Sequence, residues 1–220
     1  MSNTIQFGEQ VPGYSIRVLN EREIRASAGI LFLAVFTSFL LIMFRNNFVP
    51  VKYVISIFFL DMLIRVLINP RYAPILIISR WIVNRQTPEY VGARQKKFAW
   101  AVGLALSATM FVFLVLVNAY SPITGITCLV CMIFLFFESA FGICLACKFY
   151  SAVFRTKAQY CPGEVCEIKN RHDIQRTTAG QWLIVAALVL FIVGLSSFAN
   201  NYFSKKPYDL FGLFTTTQPK

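Results

Sequence analysis

The 220-residue chain is 57% hydrophobic and only 14% charged, with a mean hydropathy of +0.61; this excludes an ordinary soluble domain and points to a polytopic membrane protein. Its net charge of +11 raises nucleic acid as a partner, but Lys and Arg lie between the apolar runs and form no sustained basic stripe. They read as topology-setting charge beside anionic lipid, so the bilayer is the expected partner and nucleic acid is not.

Residues 1–23 are polar, with Gly8, Pro12 and Gly13, and predict a short soluble arm without a cleavable signal peptide. The first span is expected from Ile24 to Phe44. A connection over 46–50 is too short for anything but a tight turn, so the second span, Val51 to Ile68, forms an antiparallel hairpin with it. That second span carries Asp61 and Arg65, four apart and on one helical face. Ionisable residues inside a membrane usually face the bundle interior and pair, which leaves two readings: a structural clamp, or a role in substrate binding or proton handling.

Asn69-Pro70 ends that helix, because proline lacks an amide donor and restricts the residue before it. The following run, near 74–86, is apolar but too short to span, and Arg80 and Trp81 suit an interfacial helix on the cytoplasmic side. A polar segment from Thr87 to Lys97 leads into a third span, Phe98 to Asn118. The fourth apolar run, Ile123 to Tyr150, holds Glu138 and two Cys-x-x-Cys pairs, Cys128/Cys131 and Cys144/Cys147. As one helix it would be about 42 Å long, placing the pairs near opposite membrane faces. Residues 155–180 form a polar loop with Cys161 and Cys166 around a Pro-Gly turn. A fifth span, Gln181 to Ala199, and a tail over 200–220 complete the chain.

Of the 21 Lys and Arg residues, 15 fall on the segments that are inner if the amino terminus is inside, counting Arg25 with the arm. Five fall on the outer segments, counting Lys52 there, and Arg65 lies within a span. The positive-inside rule then places the amino terminus in the cytoplasm and the tail outside. The expected fold is all-α: a bundle of five transmembrane helices, a four-helix core over 24–154 plus one, with a cytoplasmic interfacial helix.

Three local features carry a resemblance: Asp61 with Arg65 and the Asn69-Pro70 stop, the string VGARQKKFAWAVG from Val91 to Gly103, and FFESAFGICLACKFY from Phe136 to Tyr150. Together they resemble an uncharacterised family of small bacterial integral membrane proteins known only as a domain of unknown function, over roughly residues 14–154. The chain departs from that family at Arg94 and Gln95, where the family usually carries prolines, and in Cys128/Cys131, Cys161/Cys166 and the fifth span. The resemblance implies a four-helix core in the bacterial inner membrane and a role for Glu138, Cys144 and Cys147. It names no reaction.

Three readings of the cysteines stand side by side. In the first, Cys144 and Cys147 are an exchanging thiol pair for redox or sulfur transfer at the cytoplasmic face, with Cys161/Cys166 as auxiliary thiols and a thioredoxin-like or sulfur-carrier protein as partner. At a helix carboxyl end the dipole opposes a thiolate, and Lys148 offsets this. No cofactor is required. In the second, Cys144, Cys147, Cys161 and Cys166 form a four-thiolate zinc or iron-sulfur site, with His172 as a further ligand or simply solvated. In the third, the cysteines pack as small apolar residues, the favoured reading for Cys128/Cys131. On a continuous helix Glu138 shares the face of Cys131 and points away from Cys144, so it is expected to pair with Arg65 in a cluster with Asp61. A non-catalytic transporter or assembly subunit passing a small anion is the alternative function, and a water-accessible cavity reaching Arg65 would favour it.

Overall fold

The computed structural model describes residues 7–147 and 177–210. The arm is folded rather than loose: strand β1 (Val18–Asn20) pairs antiparallel with β2 (Tyr90–Gly92), and Tyr14 packs edge-on against the buried Tyr90. Asn20 ends β1 and caps helix α1 (Glu21–Arg45), its side chain accepting the Arg22 amide at 3.2 Å. Asn46 closes α1 in the left-handed region, at φ 50°, with its amide on the Ile42 carbonyl. Helix α2 (Val49–Leu63) carries Pro50 in its first turn and continues as a π turn, Ile64–Ile68. Asn69 then breaks the helix with extended backbone, and a 3₁₀ turn over Pro70–Tyr72 leads into α3 (Pro74–Ile82).

Helix α4 (Ala93–Phe111) starts directly from β2, five residues before the predicted span, and closes in a π turn over Val112–Leu116. Helix α5 (Pro122–Phe136) opens on a capping box, Ser121 with Thr124, and closes in a third π turn, Phe137–Phe141. Helix α6 (Ala179–Phe203) follows, and β4 (Tyr208–Asp209) pairs in parallel with β3 (Ala119–Tyr120). The α1 helix packs against α2, α3 and α5, while α4 packs against α2 and α5. Leu31, Ile55, Phe58, Met62 and Met110 fill the space between them.

Among the described residues, four helices are long and apolar enough to cross a membrane: Glu21–Arg45, Ala93–Leu116, Pro122–Phe141 and Ala179–Phe203. Lipid is the solvent this surface needs, since Leu190 on α6 is 71% exposed and Phe198 92%. The chain is therefore a helical membrane protein. The α2 helix with its π turn is equally apolar around its charges, but it carries Lys52, Asp61 and Arg65. In α3, Ile75, Leu76, Ile77, Ser79 and Arg80 are buried, whereas Trp81 and Ile82 are exposed.

Lys52 explains how α6 is held. Its buried ammonium donates to Asn118 Oδ1 at 2.7 Å, to the Phe203 carbonyl at 3.2 Å and to the Lys205 carbonyl at 2.7 Å. It thus ties the start of α2 to the end of α4 and caps the carboxyl end of α6, where a cation is favoured. At the opposite end Gln181 donates to the Arg71 carbonyl at 3.2 Å. Lys52→Met keeps the stem and removes the three bonds. It is expected to loosen the α6 terminus by about 1.5–3 kcal/mol, the usual worth of hydrogen bonds to a charged group. Trypsin cleavage after Lys205 in nanodiscs should quicken while core melting stays put, and an unchanged cleavage rate would rule this anchor out.

Candidate functional site

Where α1 and α4 begin and α2 and α5 end, the bundle gathers a layer of charge. Arg65 donates through Nε to Asp61 Oδ2 at 2.7 Å and through Nη1 to Ser27 Oγ at 3.2 Å, and its guanidinium lies 5.2 Å from the centre of the Trp100 ring. Asp61 uses its other oxygen to accept the Ile75 amide at 2.9 Å, so it also caps α3. Arg80 pairs with Glu23 at 3.0 Å, buried on both sides. Arg22 reaches Glu89 at 2.7 Å in a half-exposed pair.

Lys96 is the centre of this layer. Its ammonium holds Glu21 at 2.9 Å and Glu138 at 2.5 Å, bridging α1, α4 and the π turn after α5. The expectation that Glu138 pairs with Arg65 is thereby corrected: its partner is Lys96. Its polar neighbours predict a loop around Lys96, but α4 begins at Ala93 and turns it inward. Ala93, Lys96 and Trp100 are all buried on one face at spacings of three and four. That spacing was the available signal. By sequence, Glu21 and Glu23 also fall in a soluble arm and Arg80 in an interfacial helix, whereas all three are buried in ion pairs.

The expectation of one helix over Ile123 to Tyr150 is also corrected. The π turn ends at Gly142, at φ 66°, with its amide on the Glu138 carbonyl and the Ile143 amide on the Phe137 carbonyl. Glycine adopts this backbone most readily, and a side chain here would also meet the Arg25 guanidinium at 3.2 Å. The chain then turns back and re-enters helix at residues 145–147. Cys144 therefore precedes a helical turn instead of following one. The Cys147 amide donates to Cys144 Sγ at 3.3 Å, and the Cys147 thiol donates to the Gln95 carbonyl at 3.7 Å, next to Lys96.

This turn brings Cys144 to a cavity of about 60 Å³ between α1, α2, α4 and α5, whose lining includes Ser27, Arg65, Trp100, Cys131, Glu138 and Cys144. That is room for a few water molecules. Glu138 and Cys144, expected on opposite helical faces, thus share one chamber. A side-chain hydrogen bond with Cys147, burial and the Glu138 carboxylate push the Cys144 thiol up, and the Lys96 ammonium opposes them. Cys128 and Cys131 are buried inside α5, and Cys131 reaches the cavity. Cys161, Cys166, His172 and Lys148 lie outside the described residues, so the four-thiolate site has two of its four ligands in the described part of the chain.

Residues 19–155 match the family described as Domain of unknown function (DUF4395). Neither the curated proteins nor the solved structures contain a match.

Proposed function

The chain belongs to the DUF4395 family, and on that premise we propose that it is a membrane thiol protein in which Cys144 and Cys147 exchange with a partner at the cytoplasmic face. Redox exchange and sulfur transfer are both within reach of such a pair, and a thioredoxin-like or sulfur-carrier protein is the partner. The carrying observation is the geometry at Gly142: the turn sets Cys144 Sγ on the Cys147 amide and opens it to a chamber it shares with Glu138. Two half-buried thiols at this spacing can close a disulfide as they reduce a partner disulfide to two thiols.

We place α2 as a further span, for five in all, in the bacterial inner membrane with the amino terminus in the cytoplasm. Support comes from the ends that meet: Lys52, Asn118 and Phe203 at one end, Arg71 and Gln181 at the other, as alternating helices require. The exposed Trp81, edge-on to Trp182 with ring centres 6.3 Å apart, supports an interfacial edge for α3.

Site-resolved alkylation of the full chain in membranes, before and after reduction, tests the thiol reading. The expected result is a reversible Cys144–Cys147 disulfide and, in Cys147→Ser, a trapped mixed disulfide on Cys144. Thiols that alkylate identically under both conditions would refute it.

The cavity's reach to Arg65 supports a second reading, a non-catalytic subunit passing a small anion. Arg65 Nη2, although in ion-pair contact with Asp61, makes no hydrogen bond. An anion would nonetheless have to compete with Asp61 for the guanidinium, and this favours the thiol reading.

A further inference from the structure

We infer that Glu138 accepts the proton of Cys144 and returns it during exchange, held at the cavity wall by Lys96; this rests on the thiol reading above. Position is the first support. The fold-back at Gly142 sets Cys144 into the chamber that Glu138 lines, one turn of chain away from it. Access is the second. Of the two carboxylates on Lys96, the Glu21 side chain is 1% exposed and the Glu138 side chain 15%. Glu138 is therefore the member of the trio open to the cavity, and Glu21 serves to hold the ammonium.

Need is the third. Cys144 stands where its protonated form is favoured, and a resting thiol is a poor nucleophile unless a base lies within reach. The groups facing this pair are Glu21 and Arg25 from α1, Arg65 from the π turn after α2, Lys96 from α4, and Cys147. Of the two carboxylates here, Glu21 and Glu138, Glu138 is the one on the cavity wall. As Cys144 attacks a partner disulfide, its proton passes to Glu138, one S–S bond forms and one breaks. The leaving thiolate takes that proton back. Cys147 then attacks the Cys144 sulfur, and its own proton goes to the second leaving thiolate. Two thiols become one disulfide, and the partner disulfide becomes two thiols.

The test uses full-length Cys147→Ser in nanodiscs, with bis(2-hydroxyethyl) disulfide as the probe and mass spectrometry reading the Cys144 adduct against pH. With an internal base, the rate should be nearly flat between about pH 6 and 8, and adding Glu138→Gln should slow it at least about tenfold there, the low end of general-base contributions. The two curves should converge at high pH, where the thiol ionises unaided, and Glu138→Asp should recover part of the loss. Superimposable curves for the parent and Glu138→Gln would overturn the inference. So would a tenfold rise per pH unit in the parent, which decides the matter even if Glu138→Gln fails to fold. Either failure leaves the thiol reading standing. Absence of any Cys144 adduct, or of a reversible disulfide in the unmodified chain, removes that reading itself.

Discussion

Asp61→Ala should be among the most damaging single substitutions in the chain, lowering stability by about 3–5 kcal/mol, the usual cost of leaving one partner of a buried ion pair uncompensated. Arg65 is then left with Ser27, the Trp100 ring and the small cavity it lines, with no carboxylate to balance its charge. The start of α3 also loses the acceptor for the Ile75 amide. The two losses can be separated. Asp61→Asn keeps the acceptor but breaks the pair, and Arg65→Met keeps the acceptor and strands the carboxylate. The double variant Asp61→Asn with Arg65→Met is neutral and still caps α3, so it should recover most of the loss. Unfolding in mixed micelles, followed by tryptophan fluorescence, measures all four. An Asp61→Ala midpoint equal to the parent's would show that neither the ion pair nor the cap on the Ile75 amide stabilises this end of α2.

This pair also shows what the sequence could carry. Asp61 and Arg65 are four apart on an apolar helix, so their contact is local and follows from helical period alone. The capping of α3 by Asp61 is not local: it depends on how the chain returns after Asn69-Pro70. Helical phase on a continuous α5 points Glu138 toward Arg65, whereas its partner is Lys96. The π turn shifts that phase, and Gly142 ends the helix well before the cysteine pair. The glycine was a legible stop, set as a small residue after Ala140 and Phe141 at the end of a long apolar run, but length and hydropathy outweighed it. Lys96 was counted toward topology since its neighbours Arg94, Gln95 and Lys97 are polar. Only the β1–β2 pairing, which starts α4 at Ala93, turns it inward. The four long apolar helices are legible from composition, because apolar length is a property of the segment and needs no knowledge of its neighbours.

Lys96→Met should match or exceed Asp61→Ala, again by about 3–5 kcal/mol for a broken buried pair, because it strands two charges, Glu21 and Glu138, where Asp61→Ala strands one, Arg65. Glu21 and Glu138 come from different helices and meet only at this ammonium, so its loss sets like charges against each other across the α1–α5 contact. Lys96→Arg is no safe substitute, since a planar fork does not fit a site built around a point charge. The triple variant Lys96→Met, Glu21→Gln, Glu138→Gln should regain much of the stability, since no uncompensated charge remains. It should regain none of the flat pH profile at Cys144. Glu138→Gln alone leaves the closed Glu21–Lys96 pair in place and should be the mildest of these in unfolding. Stability would then follow Lys96 and Glu21, while thiol reactivity follows Glu138. If Lys96→Met melts with the parent, the trio is not what joins α1, α4 and α5. If unfolding and reactivity fall in strict proportion across the set, Glu138 serves packing, and its place beside Cys144 has no chemical consequence.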